Sequence, residues 1–237
     1  MITTNEPEFE LALLEALEFG ALEFEALKAE ARSIELKDLL NVRYLDCSNF
    51  DFSPEDYHIL RKCSNLRSLD INVGGDLSFL RALPKLQSLW LTTWETGAID
   101  LRSFSSLRDL YYLLISGGDL SGVDYLHPEG LIPLKKLETL KLHEFGRIDL
   151  SFLTKMPWLL HFFCGWPKQV MNVDAIGSLW HLKSLELMDM EIEDFDFLDS
   201  LPYGMELTLL DIRSHKPLKK EKLRRYKCRE ISGVPFI

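Results

Sequence analysis

Apolar residues recur along this chain in the order L-x-x-L-x-L, with polar residues between them. The pattern appears at Leu66–Leu69–Ile71, Leu86–Leu89–Leu91, Leu110–Leu113–Ile115 and Leu137–Leu140–Leu142. It continues at Leu159–Phe162–Cys164, Leu182–Leu185–Leu187 and Leu207–Leu210–Ile212, and upstream at Val42–Leu45–Cys47. Phe19–Leu22–Phe24 is a weaker match. The alternating end of each unit predicts a short strand with one buried face. From Phe19 onward the units start 23, 24, 20, 24, 27, 22, 23 and 25 residues apart. A step of twenty-odd residues marks a stacked repeat array.

Each unit carries a second pattern after the strand: "DLSFLRALPKL" (76–86), "DLRSFSSLRDL" (100–110), "DLSFLTKMPWL" (149–159) and "DFDFLDSLPYG" (194–204). The leading Asp or Ser can cap a short helical or 3₁₀ segment. Phe and Leu then return to the core, and Pro84, Pro157 and Pro202 stop the segment before the next strand. One unit cannot bury its own apolar face, but eight or nine stacked units can.

These residues resemble the leucine-rich repeat superfamily, in the short-repeat class of bacterial internalin-like and phosphatase-regulator proteins. The resemblance covers roughly residues 10–212. It implies a single α/β domain over 1–237, built as a right-handed solenoid. A parallel sheet would line the concave face and short helical, 3₁₀ or irregular segments the convex one. It also implies protein binding through the concave face. One departure stands out. The family usually places Asn eight residues after the first Leu, where it bonds the turn backbone; here Phe50, Gly74, Trp94, Gly118, Phe145, Pro167 and Met190 occupy that place. Glycines, backbone groups or water must then satisfy the turns.

The ends divide from residues 34–212 by charge. Residues 1–40 hold ten acidic and three basic residues, and 213–231 hold nine basic and two acidic. Residues 1–33 read either as an acidic capping helix or as a degenerate first repeat. Residues 213–237 read as a basic capping helix, with Pro217 near its start, and a tail. The formal net charge of −10 argues against a nucleic-acid partner, which needs a basic surface. No stretch has the length of a membrane span, and "MITTNEPEFE" lacks the basic and apolar regions of a secretory leader. Four scattered cysteines make no disulfide framework. A cytoplasmic protein, a monomer rather than a homo-oligomer, is the expectation.

Catalytic motifs are absent: no phosphate loop, nucleophile elbow, zinc-protease or dinucleotide motif occurs. No metal or organic cofactor is expected. His161 and Cys164 invite a nucleophile pair, but strand alternation sends them to opposite faces. The outward positions carry more information. The middle column reads Asp46, Asp70, Trp90, Leu114, Lys141, Phe163, Glu186 and Asp211. It is apolar or aromatic at its centre and acidic at both ends. Tyr112, His143 and His161 flank it, and Trp94 and Trp166 sit just past the strand ends. Such a patch suits a protein partner, and its acidic flank suits a basic one. Two versions are an inhibitor or immunity protein of a basic enzyme or toxin, and a scaffold or regulatory subunit. The rival from another class is an enzyme built on Lys141, His143 and His161. A further alternative is self-association of the acidic head with the basic tail.

Overall fold

The computed structural model describes residues 39–48, 54–74, 76–93, 97–118 and 122–237. The expectations for residues 1–33, and for Phe50 and Trp94, lie outside these described residues.

The repeats build one nine-stranded sheet in the order β1-β2-β3-β5-β7-β9-β11-β13-β15, with every neighbouring pair parallel. Its strands are β1 (Tyr44–Cys47), β2 (Ser68–Val73), β3 (Ser88–Thr93), β5 (Tyr112–Ser116), β7 (Thr139–His143), β9 (His161–Gly165), β11 (Ser184–Met188), β13 (Glu206–Leu210) and β15 (Lys227–Ser232). Leu45, Leu69, Leu89, Leu113, Leu140, Phe162, Leu185 and Leu207 stand in one register row and are buried. Each such side chain contributes about 1.5–3 kcal/mol relative to exposure.

After β3, β5, β7, β9 and β11 the chain turns into a short second strand and then a 3₁₀ segment, whereas β1 leads into an α-helix, Pro54–Leu60, and β2 directly into the 3₁₀ segment Ser78–Ala82. The second strands pair as β4 (Ala98–Asp100) with β6 (Asp124–Leu126), β8 (Arg147–Asp149) with β10 (Gln169–Met171), and β12 (Glu191–Ile192) with β14 (Arg213–Ser214). The expected acidic caps are present. Asp76, Asp100, Asp149 and Asp194 each accept the backbone N–H two residues on, at 2.8–3.0 Å. Phe79, Phe104, Phe152 and Phe197 then turn into the core.

Backbone groups replace the missing Asn ladder. Phe145, Met190 and Ile212 are buried in the turn interior and offer it no polar group. From β5 to β13 the residue just past each strand instead donates its N–H to the last carbonyl of the next strand. Gly117 donates to His143, Glu144 to Gly165, Trp166 to Met188, Asp189 to Leu210 and Asp211 to Ser232. Glu144, Trp166, Asp189 and Asp211 reach this geometry with φ of 42–54°, a region that costs a non-glycine residue roughly 1–2 kcal/mol. Each such turn also saves a buried N–H from going unpaired, which would cost about 1–3 kcal/mol.

Two expectations need correction. In the last repeat, Leu185 pairs with Leu207 and Glu186 with Thr208. The spacing Leu207–Leu210–Ile212 is therefore three residues out of register. Gly204 stands where the other repeats have their first Leu, so the apolar pattern points to the wrong starting residue. Thr208, not Asp211, ends the middle column at β13. Asp211 lies in the turn, Leu209 in the core and Arg213 in β14.

The basic segment is also not a long capping helix. It makes one helical turn, Lys220–Leu223, and then β15. Its charges leave no apolar stripe at helical spacing, whereas β15 pairs the edge that β13 would otherwise leave open. Most of its cations meet acids of the preceding repeats. Lys222 contacts Asp196 and Asp199 at 2.8 Å, Lys216 contacts Asp194 at 2.8 Å, and Arg229 contacts Glu206. Arg213 and Arg225 likewise meet Asp189 and Asp199, so much of the basic charge of this segment is met by acids of the described repeats.

Candidate functional site

Register carries the outward residues into a continuous band across the open face of the main sheet. Asp46, Asp70, Trp90, Leu114, Lys141, Phe163, Glu186 and Thr208 are successive partners. Strands are spaced about 4.8 Å apart, so Trp90 and Phe163 stand about 14 Å apart along it.

The acidic end is formed by β1 and β2. The Ser48 N–H and hydroxyl donate to Asp46 Oδ1 at 3.0 and 2.8 Å. Burial, and then the charge of Asp46, raise the carboxyl of Asp70 above its ordinary value. Among the described residues no cation pairs with either carboxylate. Beside them, the rings of Trp90 and Tyr112 lie 4.7 Å apart and are tilted by 35°. Burial raises the Tyr112 phenol.

Farther along the band, at β7 and β9, lies a second aromatic group, beyond which Glu186 and Thr208 complete the row. His143 stacks on Phe163 at 4.1 Å with an interplanar angle of 17°. Trp166 lies 5.8 Å from His143 and 5.9 Å from Phe163. Phe163 is on the face as the alternation implies, yet these neighbours leave it only 5% exposed. Gly165 makes the arrangement possible, because a Cβ there would meet the Phe163 ring at 2.7 Å. Trp166 remains 41% exposed at φ 54°. A bulky residue in that region is uncommon, and the same turn geometry recurs at Glu144, Asp189 and Asp211. Burial, and then the charge of Lys141, lower His143 from 6.5 to about 4, so its ring is neutral at pH 7.

Lys141, His143 and His161 are not drawn together. His161 Nδ1 shares a 2.7 Å hydrogen bond with Ser184 Oγ, His143 is stacked on Phe163, and no hydrogen bond joins any two of the three. Cys164 is buried on the other side of the sheet, where desolvation raises its thiol. Among the described residues no three or more His, Cys, Asp or Glu side chains converge to hold a metal ion, and no helix is long and apolar enough to cross a membrane.

A hollow of about 200 Å³ adjoins Trp166, lined also by Glu144, Pro167, Lys168, Asp189 and Arg213. A larger cleft of about 920 Å³ continues from it along the second strands, where β10 and β12 are not paired. Its walls are polar and hold the Arg147–Asp124 ion pair and a 2.7 Å hydrogen bond between His215 and Glu193. Reading residues by strand face alone misses this border, because it depends on the turn residues. The adjacent Gly165, Trp166 and Pro167 are the local signal that could have revealed it.

No protein family and no curated protein matches the chain by sequence. Solved structures do match its fold. The functional domain of InlJ from Listeria monocytogenes has TM-score 0.53 and 20% identity, over 79% of this chain and 39% of that one. A PEPR1–AtPEP1 structure has TM-score 0.53 and 17% identity, covering 83% and 29%. The plant peptide hormone receptor RGFR1 in complex with RGF2 has TM-score 0.53 and 14% identity, covering 85% and 38%. The chain spans well under half the length of each of these three proteins. The likeness establishes the fold, a leucine-rich repeat solenoid with a long parallel sheet, as the repeated L-x-x-L-x-L spacing implies.

Proposed function

We propose that this chain is a non-catalytic recognition module that seats a protein partner on the open face of its main sheet. The observation that carries this reading is the aromatic band itself. Trp90 and Tyr112 pack together near β3 and β5, His143 stacks on Phe163 with Trp166 tilted against both, and a left-handed backbone holds Trp166 outward. Binding hot spots favour such aromatic anchors within a polar rim. The complex of RGFR1 with RGF2 shows that a protein of similar fold has been solved with a bound partner; the argument for this chain rests on its own face. Asp46 and Asp70, which have no cationic partner among the described residues, favour a basic partner. They support a cytoplasmic inhibitor or immunity protein of a basic enzyme or toxin over a scaffold or regulatory subunit.

Affinity capture from native lysate with wild type, Trp90→Ala, Trp166→Ala and Trp180→Ala tests the reading. Trp180 is more exposed, at 68%, but lies off this sheet face. The same protein should be retained by wild type and Trp180→Ala and lost by the other two, with circular dichroism unchanged. Equal retention by all four would refute docking on this face.

A further inference from the structure

We infer that the β1–β5 end of the open face takes an arginine side chain of the partner, its guanidinium held between Asp46 and Asp70 and laid against Trp90. The inference rests on the proposed docking to this face and names the chemistry that one end of it would recognise.

Three observations combine here. Asp46, Asp70 and Trp90 are successive register partners on β1, β2 and β3, so two carboxylates and an indole follow one another at strand spacing, about 4.8 Å. The carboxylates lack a cation among the described residues, and burial together with the neighbouring charge of Asp46 raises the carboxyl of Asp70. The Trp90 ring is buttressed by Tyr112 at 4.7 Å, which fixes its orientation before anything binds. A cation entering this place relieves the repulsion and gains the attraction of the indole face. Arg suits it better than Lys. Its planar fork can donate to both carboxylates while its flat face lies on the ring, whereas an ammonium is a strongly hydrated point charge. By contrast, the acids nearer the C-terminus, such as Asp189, Asp194 and Asp199, already have cationic partners.

The test uses tetra-arginine, tetra-lysine and tetra-citrulline peptides with the full chain at physiological salt. The Trp90 indole NMR signal, assigned with Trp90→Phe, reports binding. Tetra-arginine should shift that signal saturably, tetra-lysine should bind at least several-fold more weakly, and the uncharged citrulline peptide should leave it unmoved. The double variant Asp46→Asn/Asp70→Asn should lose at least tenfold in affinity. The charge-matched control Glu138→Gln/Asp174→Asn, altered at exposed acids elsewhere, should stay within twofold. The inference is overturned by an equal loss in the control, by tetra-lysine binding as tightly as tetra-arginine, or by a Trp90 signal that never moves. A silent Trp90 signal together with partner capture that still depends on Trp166 would remove this inference and leave the docking reading standing. Saturable arginine binding at Trp90, with partner capture indifferent to both Trp90→Ala and Trp166→Ala, would sustain the guanidinium site and refute docking on the face.

Discussion

Acidification should weaken the solenoid through His143. Its ring is stacked on Phe163 at 4.1 Å, and it titrates at about 4 when folded against 6.5 ordinarily. Between those values the unfolded chain binds a proton that the folded one refuses. Stability is therefore full above pH 6.5 and falls as the pH drops towards 4. Complete coupling over a gap of about 2.5 pH units would be about 3.4 kcal/mol. The ring is only half-buried, and solvent screening cuts this to ~1.5 kcal/mol. A protonated imidazole over Phe163 would regain about 0.5–1 kcal/mol by cation–π attraction, which is smaller than the desolvation and Lys141 repulsion opposing it. The assay is urea unfolding of wild type and His143→Gln at pH 7 and pH 4.5. Other titrating groups are common to both proteins and cancel in the difference. The advantage of wild type over the variant should shrink by ~1 kcal/mol or more across the two pH values, or about 0.5 M in midpoint for a urea slope of about 2–3 kcal/mol/M. The His143 ring signal should titrate near 4. A titration near 6.5 with parallel pH profiles would refute the argument.

Three further outcomes follow from the same geometry. Gly117→Ala should destabilise by about 3 kcal/mol in chemical unfolding, because the new Cβ would lie 1.8 Å from the Glu144 carbonyl oxygen and displace the Gly117 N–H from His143; a loss below about 1 kcal/mol would show that the turn yields freely. Asp149→Ala should cost ~1 kcal/mol in thermal unfolding, since Asp149 caps Ser151 and accepts from Asn172 at 2.8 Å; no change would mean that Asn172 or water takes over the cap. Asp70→Asn should leave the protein as stable or raise its stability by ~0.5 kcal/mol at pH 7, because it removes a like charge beside Asp46; a clear loss would mean that Asp70 has a structural role the face does not reveal.

The fold was legible because the same packing problem forces the apolar spacing on nearly every unit, with proline stops at Pro84, Pro157 and Pro202 marking three of them. A strand that buries Leu140 and Leu142 must expose Lys141, and no other register is available to it. Legibility failed where one residue replaced that logic. Gly204 removed the leucine that announces β13, and the count slipped to Leu207. At 213–231 charge density suggested a helix, although the decisive fact was the open edge of β13 several residues earlier. Alternation correctly placed Phe163 outward. It could not show that His143 and Trp166 would close over the ring, because that depends on side chains from two strands and a turn.

That last point changes which residues of the face can do recognition. Phe163, at 5% exposure, offers a partner almost no surface, so truncating it would act mainly by unseating its two neighbours. Trp166 is its complement. It is exposed, it borders a hollow of about 200 Å³, and its backbone sits at φ 54°, a conformation disfavoured for so large a side chain. Trp166 also donates its N–H to Met188, so the turn that holds the ring outward is part of the ladder between repeats. Gly165 leaves room for Phe163, Phe163 and His143 support Trp166, and the repeat ladder holds its backbone. The open face is thus preorganised at this end by the packing that stacks the solenoid, and a partner meeting Trp166 would not have to order it first.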